Sequence, residues 1–344
     1  MSVTPFAPSD AAALHAIATE AHPVDHGGPL LLDRESFTAG LTHAAEGERV
    51  DTLVVRDETG RIAGYTTVTT WTRDNTHLAE ISGAVLPSLR RRGHGRALVD
   101  AARAHVAELG RRTLVVETKN PVGDGPGDPG ATAMFTALGW DEVLNENYYR
   151  LDVTSFDPQI WEKERLHAWQ KATGYDLVTW ADGLAGPMPT ELADGIAALL
   201  GRFQSDMPTG GLAVEDMDYD AARVIADVEH AGRLGRTVVN AVVRHTATGE
   251  VAGWTKLSFK RGSEDTASQG ITMVAAAHRG HRLGMVLKTE NLNYARSLYP
   301  GLATVLTDNA ADNTYMIAVN EAMGFTLHQR SSVFQTELAS REER

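Results

Sequence analysis

The chain has 344 residues, a net charge of −13, 42% hydrophobic and 22% charged residues, and no cysteine. The length suits two domains better than one core, and the acidic balance argues against nucleic acid as a partner, since there is no excess positive field to release counterions. The lack of cysteine excludes disulfides, thiolate catalysis and Cys-ligated zinc; with no basic leader-like start and no apolar run of membrane length, a cytoplasmic location and no membrane partner are expected.

Residues 9–20 read as a helix opened by Ser9 or Asp10, 21–32 as a loop and 33–45 as a second helix. The histidines His22 and His26 flank Asp25, but no third ligand has useful spacing, so no metal is expected. Strands are expected at 52–56 and 62–70, joined by the turn Asp57-Glu58-Thr59-Gly60, and at 77–86. A helix over 97–109 meets Gly110, and a short strand follows at 113–117. Residues 120–130, with three prolines and four glycines, read as irregular, 131–138 as a helix and 147–153 as a strand. A polar connector at 154–174 holds a helix over 158–171.

The order then repeats. A strand at 175–180 leads to helices at 190–203 and 221–231, with a loop at 204–208 between them. A hairpin of 238–244 and 251–259 is followed by a strand at 270–275 and a helix at 287–298. A strand at 303–307, a helix at 314–323 and a strand at 331–338 complete the copy, and the charged tail 339–344 is expected to fray. The expected domains are therefore 1–153 and 175–338, with 154–174 as linker.

Two segments carry the chemistry. Arg90-Arg91-Arg92-Gly93-His94-Gly95-Arg96 lies between a β-branched run and a helix, and Arg279-Gly280-His281-Arg282-Leu283-Gly284-Met285 starts 189 residues later in the same setting. A glycine-bearing turn at a helix start presents backbone N–H groups and the positive end of the helix dipole, which suits an anion. Thr59-Gly60-Arg61-Ile62-Ala63-Gly64-Tyr65-Thr66 matches Thr248-Gly249-Glu250-Val251-Ala252-Gly253-Trp254-Thr255 at that same offset of 189. Downstream, Ala137-Leu138-Gly139-Trp140 matches Ala322-Met323-Gly324-Phe325, and the chain reads as a duplication.

This order of elements, the Arg-x-x-Gly-x-Gly loop and the closing Leu-Gly-Trp or Met-Gly-Phe resemble the GNAT family, the Gcn5-related N-acetyltransferases, in both halves. The resemblance implies an α/β fold with a mixed (α+β) sheet, as two tandem GNAT domains, an arrangement similar to mycothiol synthases and to tandem acyltransferases of antibiotic pathways. It implies acetyl-CoA or another acyl-CoA as cosubstrate and direct attack of a primary amine on the thioester, with a small-molecule amine as the expected acceptor. A non-catalytic acyl-CoA-binding sensor or scaffold, and an acetyltransferase for proteins or peptides, stay open as alternatives, as do a monomer and a homodimer. Carried onto this chain, the pyrophosphate loop is Arg90 to Arg96 and Arg279 to Met285, and the strand ends Val85-Leu86 and Val274-Ala275 hold the pantetheine arm. Glu80 takes the place of the base. The acid, usually a tyrosine, is replaced by Phe135 in the first half and Asn320 in the second. Asn309 and Asn313 are expected either to bond the CoA arm or to cap a helix, Gln269 to face the reacting groups, and Asp206 to meet the substrate. On this reading the second half is expected to perform the transfer.

Overall fold

The computed structural model describes residues 1–155 and 157–338. The elements follow the expected order, beginning with a strand the sequence reading missed, β1 (Ser2–Pro5), which pairs with β2 (Glu48–Arg56). Between them, α1 (Ala11–His26) runs six residues past its expected end and includes Pro23, and α2 (Arg34–Thr42) starts where Asp33 accepts the Ser36 N–H at 2.8 Å. The last turn of α1 survives its proline because Gly27, at φ 76°, closes it with a bond to the Pro23 carbonyl. The loop expected at 21–32 is thus helical up to His26.

β3 (Ile62–Trp71) and β4 (Leu78–Val85) complete an antiparallel meander, α3 (His94–Glu108) crosses back, and β5 (Thr113–Pro121) pairs parallel with β4. Next come α4 (Pro129–Ala137), β6 (Asp141–Asp152) and α5 (Pro158–Lys171). The second copy comprises β7 (Tyr175–Asp182), α6 (Ala193–Leu200), the single turn α7 (Phe203–Asp206), α8 (Ala221–Arg233), β8 (Arg236–His245), β9 (Val251–Lys260) and β10 (Thr266–Val274). It ends with α9 (Leu283–Leu298), β11 (Thr304–Ala310), α10 (Thr314–Ala322) and β12 (Thr326–Glu337).

Two compact units result, and they depart from the linear partition at 1–153 and 175–338. The first contains Met1–Asn147, Thr209–Glu215 and residues 328–338; the second contains Tyr148–Pro208 and Asp216–Leu327. In the first unit the sheet order is β1-β2-β3-β4-β5-β12, so its last position is filled by the strand that closes the sequence of the second copy. Phe334 of β12 is 1% exposed and stacks on Phe135 in the core beneath α3 and α4. The segment Thr209–Glu215 is held by reciprocal bonds between Asn75 and the Glu215 backbone and by Gln335, which accepts the Ala213 N–H at 2.8 Å. The other face of this sheet packs on α1 and α2 through Leu14, Phe37, Val54 and Leu86. The 154–174 connector is no free linker: Trp161 and Ala168 of α5 are buried in the second unit's core with α9, while the tail 339–344 lies outside the described residues.

In the second unit the end of β6 and β11, β10, β9, β8 and β7 form the sheet, with α5, α9 and α10 on one face and α6 and α8 on the other. The repeated Gly64 and Gly253 have one shared cause. A Cβ at Gly64 would stand 2.7 Å from the Ala84 carbonyl, and one at Gly253 2.7 Å from the Met273 carbonyl, so each allows the meander strands to approach.

Candidate active site

In the first unit β4 and β5 pair only from Leu78↔Thr113 to Ile81↔Val116, although both strands continue beyond. They splay from Ser82 onward, and α3 starts at the open end. The resulting cavity, about 690 Å³, is lined by Glu80, Val85, Arg91, Gly93, His94, Gly95 and Arg96, with Thr118 and Lys119 from β5 and Met134 from α4. The first N–H groups of α3 have no carbonyl one turn behind them, so they are free for an anion.

The loop conformation is dictated at two positions. Arg91 and Gly93 have φ of 62° and 87°, and their counterparts Gly280 and Arg282 have 87° and 56°. Each loop needs the left-handed region at its second and fourth residues, and each places one glycine and one arginine there. The Arg282 that departs from the Gly-x-Gly pattern therefore keeps the backbone path.

The loop arginines divide by partner. Arg90 donates to both Asp25 carboxylate oxygens at 2.8 Å, lies 3.3 Å from Asp128, and bonds the Val85 carbonyl through Nε. It is a brace for the loop and not a free phosphate ligand, which corrects its expected role. Arg91 faces the cavity, with Nη1 beside Gly130 at the start of α4; Arg92 is exposed and Arg96 is paired with Asp100 on the surface of α3. His94 is buried and its Nδ1 meets the Leu89 carbonyl. Leu86 is corrected as well: it is buried and its N–H is spent on the Ala63 carbonyl, just as that of Ala275 is spent on Ala252.

Glu80 opens onto the cavity while protein closely surrounds it on its other sides. It pairs across to Thr69 and Val115, so it shares a face with Glu48 and Glu117. Burial pushes its carboxyl up, the charges of Glu117 and Glu48 add to this, Lys119 opposes it, and the result is about 7. Lys119 itself stands 2.6 Å from Glu117. Neither Glu117 nor Lys119 was singled out by sequence; their place in the alternation of β5 was the available signal. Phe135 offers no proton, being packed edge-on against Trp140 in the core.

The second unit repeats the frame without the same site. Parallel pairing of β10 with β11 stops at Ser268↔Leu306, and a bulge inserts one residue between Gln269 and Thr272. Ser258, the counterpart of Thr69, pairs with Ser268, so Ser268 stands where Glu80 stands and Gln269 falls on the opposite face. Gln269 is buried, its Nε2 bonding Thr255 Oγ1 and the Lys256 carbonyl across the bulge, which corrects its catalytic assignment. Asn320 is fully buried; it accepts from Lys288 Nζ and donates to Asn309 Oδ1, so both asparagines serve an internal chain. Asn313 caps α10 by accepting the Met316 N–H, the capping alternative.

Around the second loop, Arg279 is bound to Asp206 at 3.1 Å and bonds the Val274 carbonyl, so Asp206 is a brace partner and not a free substrate contact. Arg282 reaches Glu164 at 2.9 Å, the His281 ring lies 5.4 Å from that of Tyr175, and Leu283 and Met285 belong to the core. Gly284 faces the Tyr315 hydroxyl, which a Cβ there would meet at 3.6 Å.

Residues 12–124 match the model of the acetyltransferase (GNAT) family. No curated relative matches the sequence. Among solved structures, the chain is similar to a tandem GNAT protein from the clavulanic acid biosynthesis pathway, with 28% identity, 98% of each chain covered and a TM-score of 0.78. A GCN5-related N-acetyltransferase from Sphaerobacter thermophilus shares the fold at 15% identity, 98% and 95% coverage and a TM-score of 0.66. So does a glucosamine N-acetyltransferase region of a fungal multi-domain β-N-acetylglucosaminidase, at 16% identity and a TM-score of 0.69, covering 97% of this chain and 38% of that one. Residues 12–124 are thus a GNAT-family acetyltransferase domain, in a chain whose two units together have the fold of a tandem GNAT protein.

Proposed function

We propose that the first unit transfers an acyl group, in the simplest case acetyl, from acyl-CoA to a primary amine of a small molecule. This reverses the expectation that the second half is catalytic. The observation that carries it is Glu80: a carboxylate in the cavity at the splayed strands, held near neutral titration by its surroundings, with serine in its place in the second unit.

The cosubstrate used by this family fits the cavity by its chemistry. The α3 N-terminus and Arg91 suit its diphosphate, and the open edge of β4 beyond Ile81 suits an amide-bearing arm. The volume is within the range of small-ligand sites. When bound, it supplies an activated thioester carbon. An acceptor that arrives as an ammonium first loses one proton to solvent through the open cavity; Glu80 then removes the second as the C–N bond forms and the C–S bond breaks, and solvent returns a proton to the sulfur, since Phe135 has none to give. The acidic grouping of Glu48, Glu80 and Glu117 favours an acceptor that arrives as a cation.

The test is thiol release from acetyl-CoA with a panel of amino sugars, amino acids and basic peptides, comparing the native enzyme with Glu80→Gln. The expected result is turnover with small amines and a loss of about 10²–10⁴-fold in kcat/KM for the variant, with acetyl-CoA affinity unchanged. Binding without turnover for any amine would favour a sensor, and turnover confined to peptides would favour a protein acetyltransferase.

A further inference from the structure

The strand register gives matching positions of the two units a different charge. In the first unit Glu48, Thr67, Trp71 and Glu80 share the sheet face turned to α1 and α2. The pairs Arg236↔Lys260, Asn240↔Lys256 and Ser258↔Ser268 put Arg236, Lys256, Lys260 and Ser268 at those positions in the second unit. An acidic face has become a basic one.

The three cations are not neutralised in the ordinary way. Among the described residues none of them has a carboxylate within ion-pair distance. Arg236 repels both lysines, and desolvation holds all three below their usual range. Asp227 on α8 acts on Lys256 from a distance, but its carboxylate accepts the Tyr219 hydroxyl at 2.8 Å. Of the two acids of β7 on this face, Asp176 is bound to Arg244 at 2.8 Å, and Asp182 is buried and bonded by Trp180 and Asn240. Lys256 lies across Gly270, where a Cβ would touch its stem at 3.1 Å, with its ammonium 5.4 Å from the Trp254 ring. Arg236 is exposed and both lysines are partly exposed, so a dissolved anion can reach them, and their mutual repulsion on one face is relieved when it does. Three positive charges against one distant carboxylate leave room for two negative ones.

We propose that Arg236, Lys256 and Lys260 form a binding site for a small dianion, a dicarboxylate or a phosphate, on the face of the second unit that corresponds to the amine-receiving face of the first. This site stands apart from the acyl-transfer reading and does not depend on it. Its glycine loop is not involved, since Arg279 and Arg282 are engaged elsewhere.

The experiment is isothermal titration of the full chain at low ionic strength with succinate and with inorganic phosphate, which separates the two ligand types. One saturable equivalent of at least one anion is expected, weakened tenfold or more in Arg236→Gln and in Lys260→Gln, and lost in the double variant. Lys256→Met should weaken binding by a similar factor. Acetyl-CoA binding by the same variants reports whether they remain folded and whether the first unit is intact. No saturable binding of either anion, or undiminished binding by a folded double variant, overturns the proposal.

Discussion

Arg90 and Asp25 are joined at two points, each at 2.8 Å, with both side chains less than one-fifth exposed. The same guanidinium bonds the last carbonyl of β4, so one residue ties the end of α1 to the strand that opens the cavity. Arg279, Asp206 and the Val274 carbonyl repeat the device in the second unit. Asp25→Asn breaks the two-point contact and leaves the partly buried guanidinium with Asp128 alone as a charge partner, and is expected to cost about 2 kcal/mol in denaturant unfolding. Arg90→Lys should do as badly, because an ammonium cannot span the two carboxylate oxygens and the strand carbonyl together. Both variants should raise KM for acyl-CoA more than they lower kcat.

Glu80 sets the pH behaviour. Its carboxyl titrates near 7 against an ordinary value of 4.5, so kcat/KM should climb through about that pH and level off above it, and Glu80→Gln should remove the climb. The linkage has a definite sign. A carboxyl raised by folding stabilises the protein below its unfolded value and loses that contribution as pH rises through the folded value. Native protein should therefore lose stability relative to Glu80→Gln between pH 4.5 and 7, and melting temperatures of the pair across that window check it. A flat difference would mean that the carboxyl titrates normally.

How far the sequence revealed this can be argued from particular residues. The duplication was legible because Gly64 and Gly253 answer the same steric demand, and the order of elements followed from periodicity. The loops were legible as anion sites, yet the fate of Arg90 and Arg279 was not, because Asp25 and Asp206 meet them through tertiary packing that no local pattern encodes. Gln269 was misplaced for a sharper reason: a single inserted residue in β10 turns each side chain beyond it to the other face, and a count of 189 hides that slip. Likewise, Asn120 of β5 bonds Thr132 and Ser332, polar contacts at that strand end that an irregular reading of 120–130 does not reveal.

The paired left-handed positions allow the units to be tested separately. Gly93→Ala and Gly280→Ala each put a Cβ at a φ of 87°, and each is expected to cost about 1 kcal/mol or more. If acyl-CoA is held by the first loop, only Gly93→Ala should weaken its binding, by tenfold or more in a direct titration. Equal weakening by both variants would assign cosubstrate to both units.

The placement of β12 makes the first unit depend on the far end of the chain. Phe334 is packed against Phe135 and the α3 core, and the Gln329 side chain donates to the carbonyls of Asp25 and Pro126. A Phe334→Ala change removes a fully buried ring and should cost about 3–5 kcal/mol. A fragment ending at residue 153 lacks this strand altogether, so its β5 is left without the partner that spans Thr113 to Pro121. Such a fragment should show no cooperative unfolding and no acyl-CoA binding, whereas the intact chain should show both. Cooperative melting of the fragment at the temperature of the intact protein would mean that the first copy needs nothing from the second, and that the exchange of closing strands contributes little to its stability.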